Sequence, residues 1–238
     1  MNKRSLFAFW PLLLLFALSA CGRHFHTQLK PADRQSQGMT VNDDGSVTYA
    51  LDRLSIELKP MTDAELNRLS AARPDLNPYT FGDWVPPGDE QSPPRFTVFR
   101  LKVNNYQFPK VRIDPTNSRI STANTRHYQA LTYGQLYTYY RAHWLGRTGL
   151  GRKAFQARTD ALKRTLYSGV MIFSGNEELG YLVFPILADD VTEVLVHIEN
   201  IALRFDYADA PIETIDLSFA FSRDILQGHT RATAVRRN

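Results

Sequence analysis

Few residues in this chain are spaced for chemistry, and those that are stop short of a complete set. Gly146-Arg147-Thr148-Gly149-Leu150-Gly151-Arg152-Lys153 comes near the glycine spacing of a phosphate loop, whose backbone N–H groups cradle a phosphate. It places Arg152 and Lys153 where a lysine and then a hydroxyl are needed. It also follows Trp144-Leu145 in a helical pattern and not a strand. We read it as a flexible turn. His197-Ile198-Glu199 has the first half of a zinc-deaminase spacing, but no cysteine pair exists to complete it. The alternation around it sends His197 opposite Val196 and Ile198, toward solvent. His24 and His26 offer only two metal ligands. Asp189, Asp190 and Glu193, and Asp206 with Asp209, are oxygen ligands of the kind calcium takes, yet they read more simply as loop charges. Gly-x-Ser-x-Gly and His-Glu-x-x-His do not occur. We therefore expect no catalytic, metal or cofactor-binding set, although a triad assembled in space leaves no mark along a sequence.

The thiol of Cys21 is the exception. It is the only cysteine of 238 residues. Asn2-Lys3-Arg4 makes a positive start, Leu6 to Ala17 is almost wholly apolar, and Leu18-Ser19-Ala20 leads into the cysteine. Charge, apolar stretch and small-residue exit are the plan of a secretory signal. The apolar stretch is shorter than the roughly 20 residues a bilayer span needs, and Pro11 interrupts it. Residues 1–21 resemble the lipobox signal peptide of bacterial lipoproteins. The resemblance implies cleavage between Ala20 and Cys21, a diacylglyceryl group on the sulfur and acylation of the new N-terminus. It also implies a palmitate-type anchor in the cell envelope, since more than one chain gives durable attachment. In Gram-negative members an Asp after the cysteine favours the inner membrane. Here Gly22 stands there, which implies the outer membrane, facing the periplasm. The rest of the chain matches no family we recognise.

Two further features bear on binding. Tyr133, Tyr137, Tyr140 and Trp144 recur at steps of four, three and four, one face of a helix. Such a stripe either packs the helix onto a core or offers a stacking platform to a partner. Packing is favoured, because a helix without a core face is unstable. Arg141, Arg147, Arg152, Lys153, Arg158, Lys163 and Arg164 face a single acid, Asp160, between positions 141 and 164. They make either a solvated surface or a patch for an anionic partner. Tyr137, Trp144, Arg147 and Arg152 are our candidates for partner contact.

Composition narrows the classes. There are 28 basic and 24 acidic residues, and two of the basic ones lie in residues 1–20, leaving 26 against 24. This near balance does not suit a nucleic-acid binder, and none is expected as a partner. A lone cysteine excludes an internal disulfide. At 43% hydrophobic residues, with 14 Phe and 11 Tyr, the chain is folded.

Stepping through the elements, residues 21–38 read as an acylated cysteine and flexible tether. Residues 39–228 read as a single domain and 229–238 as a disordered basic tail. Met39-Thr40-Val41 and Val47-Thr48-Tyr49 flank Asn42 to Ser46, a hairpin with Asp-Gly in its turn. Leu54, Ile56 and Leu58 continue in a strand that Pro60 ends. Thr62 to Glu65 has capping-box spacing, which opens a short helix. Six of the 13 prolines fall between Pro74 and Pro94, so that stretch is a long loop, pinned by Phe81 and Trp84. Phe96 to Val103 is a strand whose alternation slips, suggesting a bulge. Short strands recur from Val170 onward, and Ile215-Leu217-Phe219-Phe221 is the cleanest one-sided example. Thr132-Tyr133-Gly134-Gln135 again has capping-box spacing. Two helices, about 132–166, then form a hairpin with a glycine-rich tip. The expected fold is mainly β: an antiparallel β-sandwich, immunoglobulin-like by loose analogy, with a helical-hairpin insertion. The expected function is that of a membrane-anchored envelope lipoprotein whose domain binds an envelope protein or an anionic envelope polymer without catalysis. An envelope-acting hydrolase and a subunit of a trans-envelope assembly are the alternatives.

Overall fold

A computed structural model of the chain describes residues 23–145, 150–228 and 233–236, with residues 23, 143–145 and 150 described by their backbone alone. Cys21, the signal peptide expected at residues 1–20, Arg147 and the rest of residues 146–149 lie outside the described residues, as does the Trp144 side chain. In chain order the first strands are β1 (Arg23–His26), β2 (Lys30–Pro31), β3 (Met39–Val41), β4 (Val47–Leu51) and β5 (Leu54–Pro60). Helix α1 (Asp63–Leu69) precedes β6 (Thr97–Asn105), β7 (Lys110–Val111), β8 (Ser118–Thr122) and β9 (His127–Gln129). Helices α2 (Tyr133–Leu145) and α3 (Leu150–Thr165) follow. The chain then runs through β10 (Ile172–Phe173), β11 (Asn176–Phe184), β12 (Glu193–Phe205), β13 (Pro211–Ser222), β14 (Ile225–Gly228) and β15 (Val235–Arg236).

The chain divides into two compact units, and Gln28–Arg223 is the larger. It is an antiparallel sandwich of two five-stranded sheets, ordered β11-β6-β5-β4-β3 and β2-β13-β12-β8-β9. Alternation sets which side chains face inward. On β5, Leu54, Ile56 and Leu58 are buried while Ser55, Glu57 and Lys59 are not. On β13, Leu217, Phe219 and Phe221 do the same. Across the layers the Phe99 ring lies 5.2 Å from that of Phe221, centre to centre. The β3–β4 turn has its glycine in the left-handed region, Gly45 at φ 78°, as the Asp-Gly pair requires.

Three expectations are corrected. Residues 23–38 are not a free tether. Lys30 and Pro31 pair with Ser222 and Phe221, and the Gln35 amide both donates to and accepts from the Ala220 backbone, at 2.7 and 3.0 Å. The bonded positions lie 185 residues apart, so no local pattern announces them. The domain expected to begin at 39 therefore begins at Gln28 and ends at Arg223. Second, β6 has no bulge. It pairs in unbroken register with both β5 and β11. The alternation slips because Val98 and Phe99 are both buried, on opposite faces of the sheet: Phe99 in the sandwich core, Val98 in a second cluster under the helices. Third, Trp84 does not pin the proline-rich loop, since it is 54% exposed. The pins are polar. Asn77 and Thr80 are buried, and both donate to the Asn67 side chain on α1, at 3.0 and 2.6 Å.

The smaller unit takes its described residues from 23–27 and 224–236. In it β14 sits between β1 and β15. Part of the expected tail is thus paired: Val235 and Arg236 align with Gln227 and Leu226, and Arg236 bonds to Asp224 at 3.0 Å.

Candidate functional site

The helical hairpin is built as its sequence implies. Thr132 caps α2: its hydroxyl accepts from the Gln135 N–H at 3.3 Å, and the Gln135 side chain accepts from the Thr132 N–H at 2.8 Å. The Leu131 N–H, at 2.7 Å from the Val183 carbonyl, fixes the start of the helix to β11. At the far end the Tyr167 N–H donates to the Tyr181 carbonyl at 3.0 Å. Both attachments fall on the outer edge of β11.

The aromatic stripe divides. Leu136 and Tyr140 point inward with Leu162, against Tyr79, Val98, Tyr181 and Val183. Tyr140 donates to the Pro78 carbonyl and accepts from Arg95 at 3.0 Å, so its hydroxyl is satisfied although buried. Tyr137 is 36% exposed, and its ring meets Phe155 of α3 at 5.2 Å. The helix is rotated by one position from the stripe read in the sequence, because Leu136 takes the core place. Of the partner-contact candidates, the structure describes the side chains of Tyr137 and Arg152. Arg152 is exposed, as are Arg141, Lys153, Lys163 and Arg164. Among the described residues none of these five is in an ion pair. Arg158 is turned inward instead, over the Tyr140 ring at 5.5 Å and donating to the Asp75 carbonyl at 2.7 Å.

Beside the hairpin lies a cavity of about 310 Å³ that no local pattern announces. Its wall comes from four stretches, Pro115–Thr116, Ala130–Tyr133, Leu162–Ser168 and Tyr181–Val183, which meet only in the fold. The lining is aliphatic and aromatic. Its one ionised group is Lys163, whose ammonium lies 5.8 Å from the Tyr133 ring centre. Tyr167 is 3% exposed, and burial together with the nearby Glu178 charge holds its phenol far above the usual tyrosine range.

The other groups weighed in the sequence have ordinary partners. His197 is half-buried rather than fully in solvent. Its Nε2 meets the Ser121 hydroxyl at 2.7 Å and its Nδ1 the Ser218 hydroxyl at 2.8 Å. A triad base has a carboxylate at that second nitrogen. Here burial, and then Arg119, hold the imidazole below the usual histidine range. Asp190 pairs with Arg126 and Asn124, and Asp209 with Lys110, while Asp206 caps its own turn. No group of three or more His, Cys, Asp or Glu side chains gathers among the described residues.

Asp63, at the first position of α1, has its carboxyl pushed up to about 6 by burial, with Arg95 opposing. The folded chain holds this proton up to about pH 6, whereas the unfolded chain releases it near 3.8. Stability contributed here is thus present below pH 4 and lost as pH rises through 6. Discounted for the water that reaches the group, Asp63→Asn should raise unfolding stability by roughly 1 kcal/mol at pH 8 and by nothing at pH 4. Urea unfolding of both proteins across pH 4–8 checks this, and a difference that stays flat with pH refutes it.

The described residues thus define a mainly β, two-sheet sandwich with a helical hairpin packed on the outer face of one sheet and attached at its β11 edge. No protein-family model matches the chain, and no curated protein does. Among solved structures it is similar to the 1.5 Å crystal structure of a secreted protein from Mycobacterium tuberculosis, MPT63. The two are 14% identical, with 67% of this chain and 90% of that one covered at a TM-score of 0.31. No helix among the described residues is long and apolar enough to cross a membrane.

Proposed function

We infer that this chain is an exported lipoprotein, moored through Cys21, whose sandwich is a non-catalytic binding module that meets its partner through the outer side of the helical hairpin. The leader and its closing cysteine support the mooring. The contact surface rests on one observation: Arg152, Lys153, Lys163 and Arg164 stand exposed on α3 with no carboxylate partner among the described residues, close to the half-open Tyr137–Phe155 pair. Unpaired basic side chains beside a rigid aromatic contact suit an anionic partner in the envelope, an acidic protein face or a charged polymer. Tyr137, Trp144, Arg147 and Arg152 are the residues assigned to it.

The test is photo-crosslinking from position 152 in the producing cells. Expected adducts should fall at least tenfold when Lys153 and Arg164 are both changed to Glu. Undiminished adducts in that variant sink the contact surface. The mooring is tested separately: Cys21→Ala should abolish incorporation of labelled palmitate and release the chain from the membrane fraction.

A further inference from the structure

We propose that the cavity beneath the hairpin binds a single-chain aliphatic carboxylate of about ten carbons, with its chain inside and its head group at Lys163. Size comes first. At the roughly 30 Å³ that a water takes in the liquid, a space of about 310 Å³ admits about ten non-hydrogen atoms. That is one medium-length chain, and it is too little for a two-chain lipid. It also lies at the lower end of ligand-site volumes, about 300–1,000 Å³. The wall chemistry then selects the chain. Leu131, Leu162, Leu166 and Val183 with the Tyr133 and Tyr181 rings present carbon to the space.

The head group follows from charge. Fourteen residues line the cavity; none is an acid and one, Lys163, is a base. Lys163 is exposed and has no carboxylate partner among the described residues, so its charge is available to an anion at the mouth. The sheet adds a donor. The Val98 carbonyl accepts from Met61, so Val98 directs its backbone toward β5. Its antiparallel neighbour Val183 must then direct its own N–H and C=O away from β6, to the open edge where the cavity lies. The Val183 carbonyl is taken by the Leu131 N–H. The Val183 N–H faces the same gap and suits a carboxylate or carbonyl oxygen. The Thr116 and Ser168 hydroxyls at the mouth already donate to the Asp114 and Glu178 carboxylates, at 2.7 and 2.5 Å, so Lys163 and the Val183 N–H are the groups offered to the oxyanion.

The experiment is photolabelling of the full chain, in membranes of the cells that make it, with decanoate carrying a diazirine at its far end. Mass spectrometry should place the label within 131–133, 162–168 or 181–183. Excess decanoate should reduce that label at least fivefold, and decyltrimethylammonium, with the opposite charge, should not. Lys163→Glu should lower it by a similar factor. Thr116→Trp, which blocks the mouth from an exposed position, should lower it without shifting the unfolding midpoint. Label confined to other segments, equal competition by the cationic analogue, or full labelling in both variants overturns the proposal. The competition arm uses the unaltered protein, so it decides even if a variant fails to fold. The competition arm depends neither on lipidation of Cys21 nor on the partner of the hairpin, and Thr116→Trp alters no residue of the hairpin's basic surface.

Discussion

Gly180→Ala should destabilise the larger unit by about 3 kcal/mol or more, although it adds a single methyl group to a strand. A Cβ at this position would lie 2.4 Å from the Tyr167 Cα, 2.6 Å from its N and 2.9 Å from the Leu166 carbonyl carbon. All three are backbone atoms, so no side-chain rotation relieves the contact. The segment after α3 must draw back from β11 by an ångström or more. That breaks the hydrogen bond from the Tyr167 N–H to the Tyr181 carbonyl and loosens the contact of the Tyr79 and Thr165 hydroxyls. Gly45→Ala is the control. Gly45 has φ 78° but nothing within 4 Å of an added Cβ, so only the strained backbone is felt, about 1 kcal/mol. Urea unfolding of both variants measures the contrast. Equal costs would mean that the close approach at Gly180 is not rigid.

Phe99→Ala should cost about 3–5 kcal/mol, a large share of the 5–15 kcal/mol that holds a typical domain. Phe99 is fully buried. It meets Phe184 edge-on at 5.9 Å within its own sheet and Phe221 of the facing sheet at 5.2 Å. Its strand lies between β5 and β11 and is covered on both faces, so its neighbours are held from two sides and little collapse into the void is available. The unfolding midpoint in urea reads the loss. The exposed Phe173→Ala supplies the reference, and a Phe99 loss no greater than that would show that the sheets do not share this core.

What the residues disclosed by themselves follows from range. The β3–β4 turn, the caps at Thr62 and Thr132, the two helices and the alternation of β13 are encoded within a few positions. Each is read from turn chemistry, capping or period. Three things were hidden for physical reasons. The pairing of Lys30, Pro31 and Gln35 with β13 depends on partners at the other end of the chain. The anchoring of the proline-rich loop by Asn77, Thr80 and Asn67 uses hydrogen bonds between polar side chains, which carry no hydrophobic signature. The double burial at Val98 and Phe99 resembles a slipped register unless the helical layer on the outer face is known. The hairpin surface was visible as a run of basic and aromatic residues. The cavity was not, because Lys163 and the carbon wall that makes its charge meaningful come from four separate stretches.

The hairpin has one more consequence, through the strand it lies against. Of the four outermost strands of the two sheets, β2, β3 and β9 are two or three residues long, and only β11, with nine, is long enough to recruit a strand from another molecule. Leu131 and Tyr167 occupy its outward hydrogen-bonding positions. Excision of the insertion would therefore leave a sticky, unshielded ribbon, and the product would be a chain that polymerises edge to edge, not a smaller monomer.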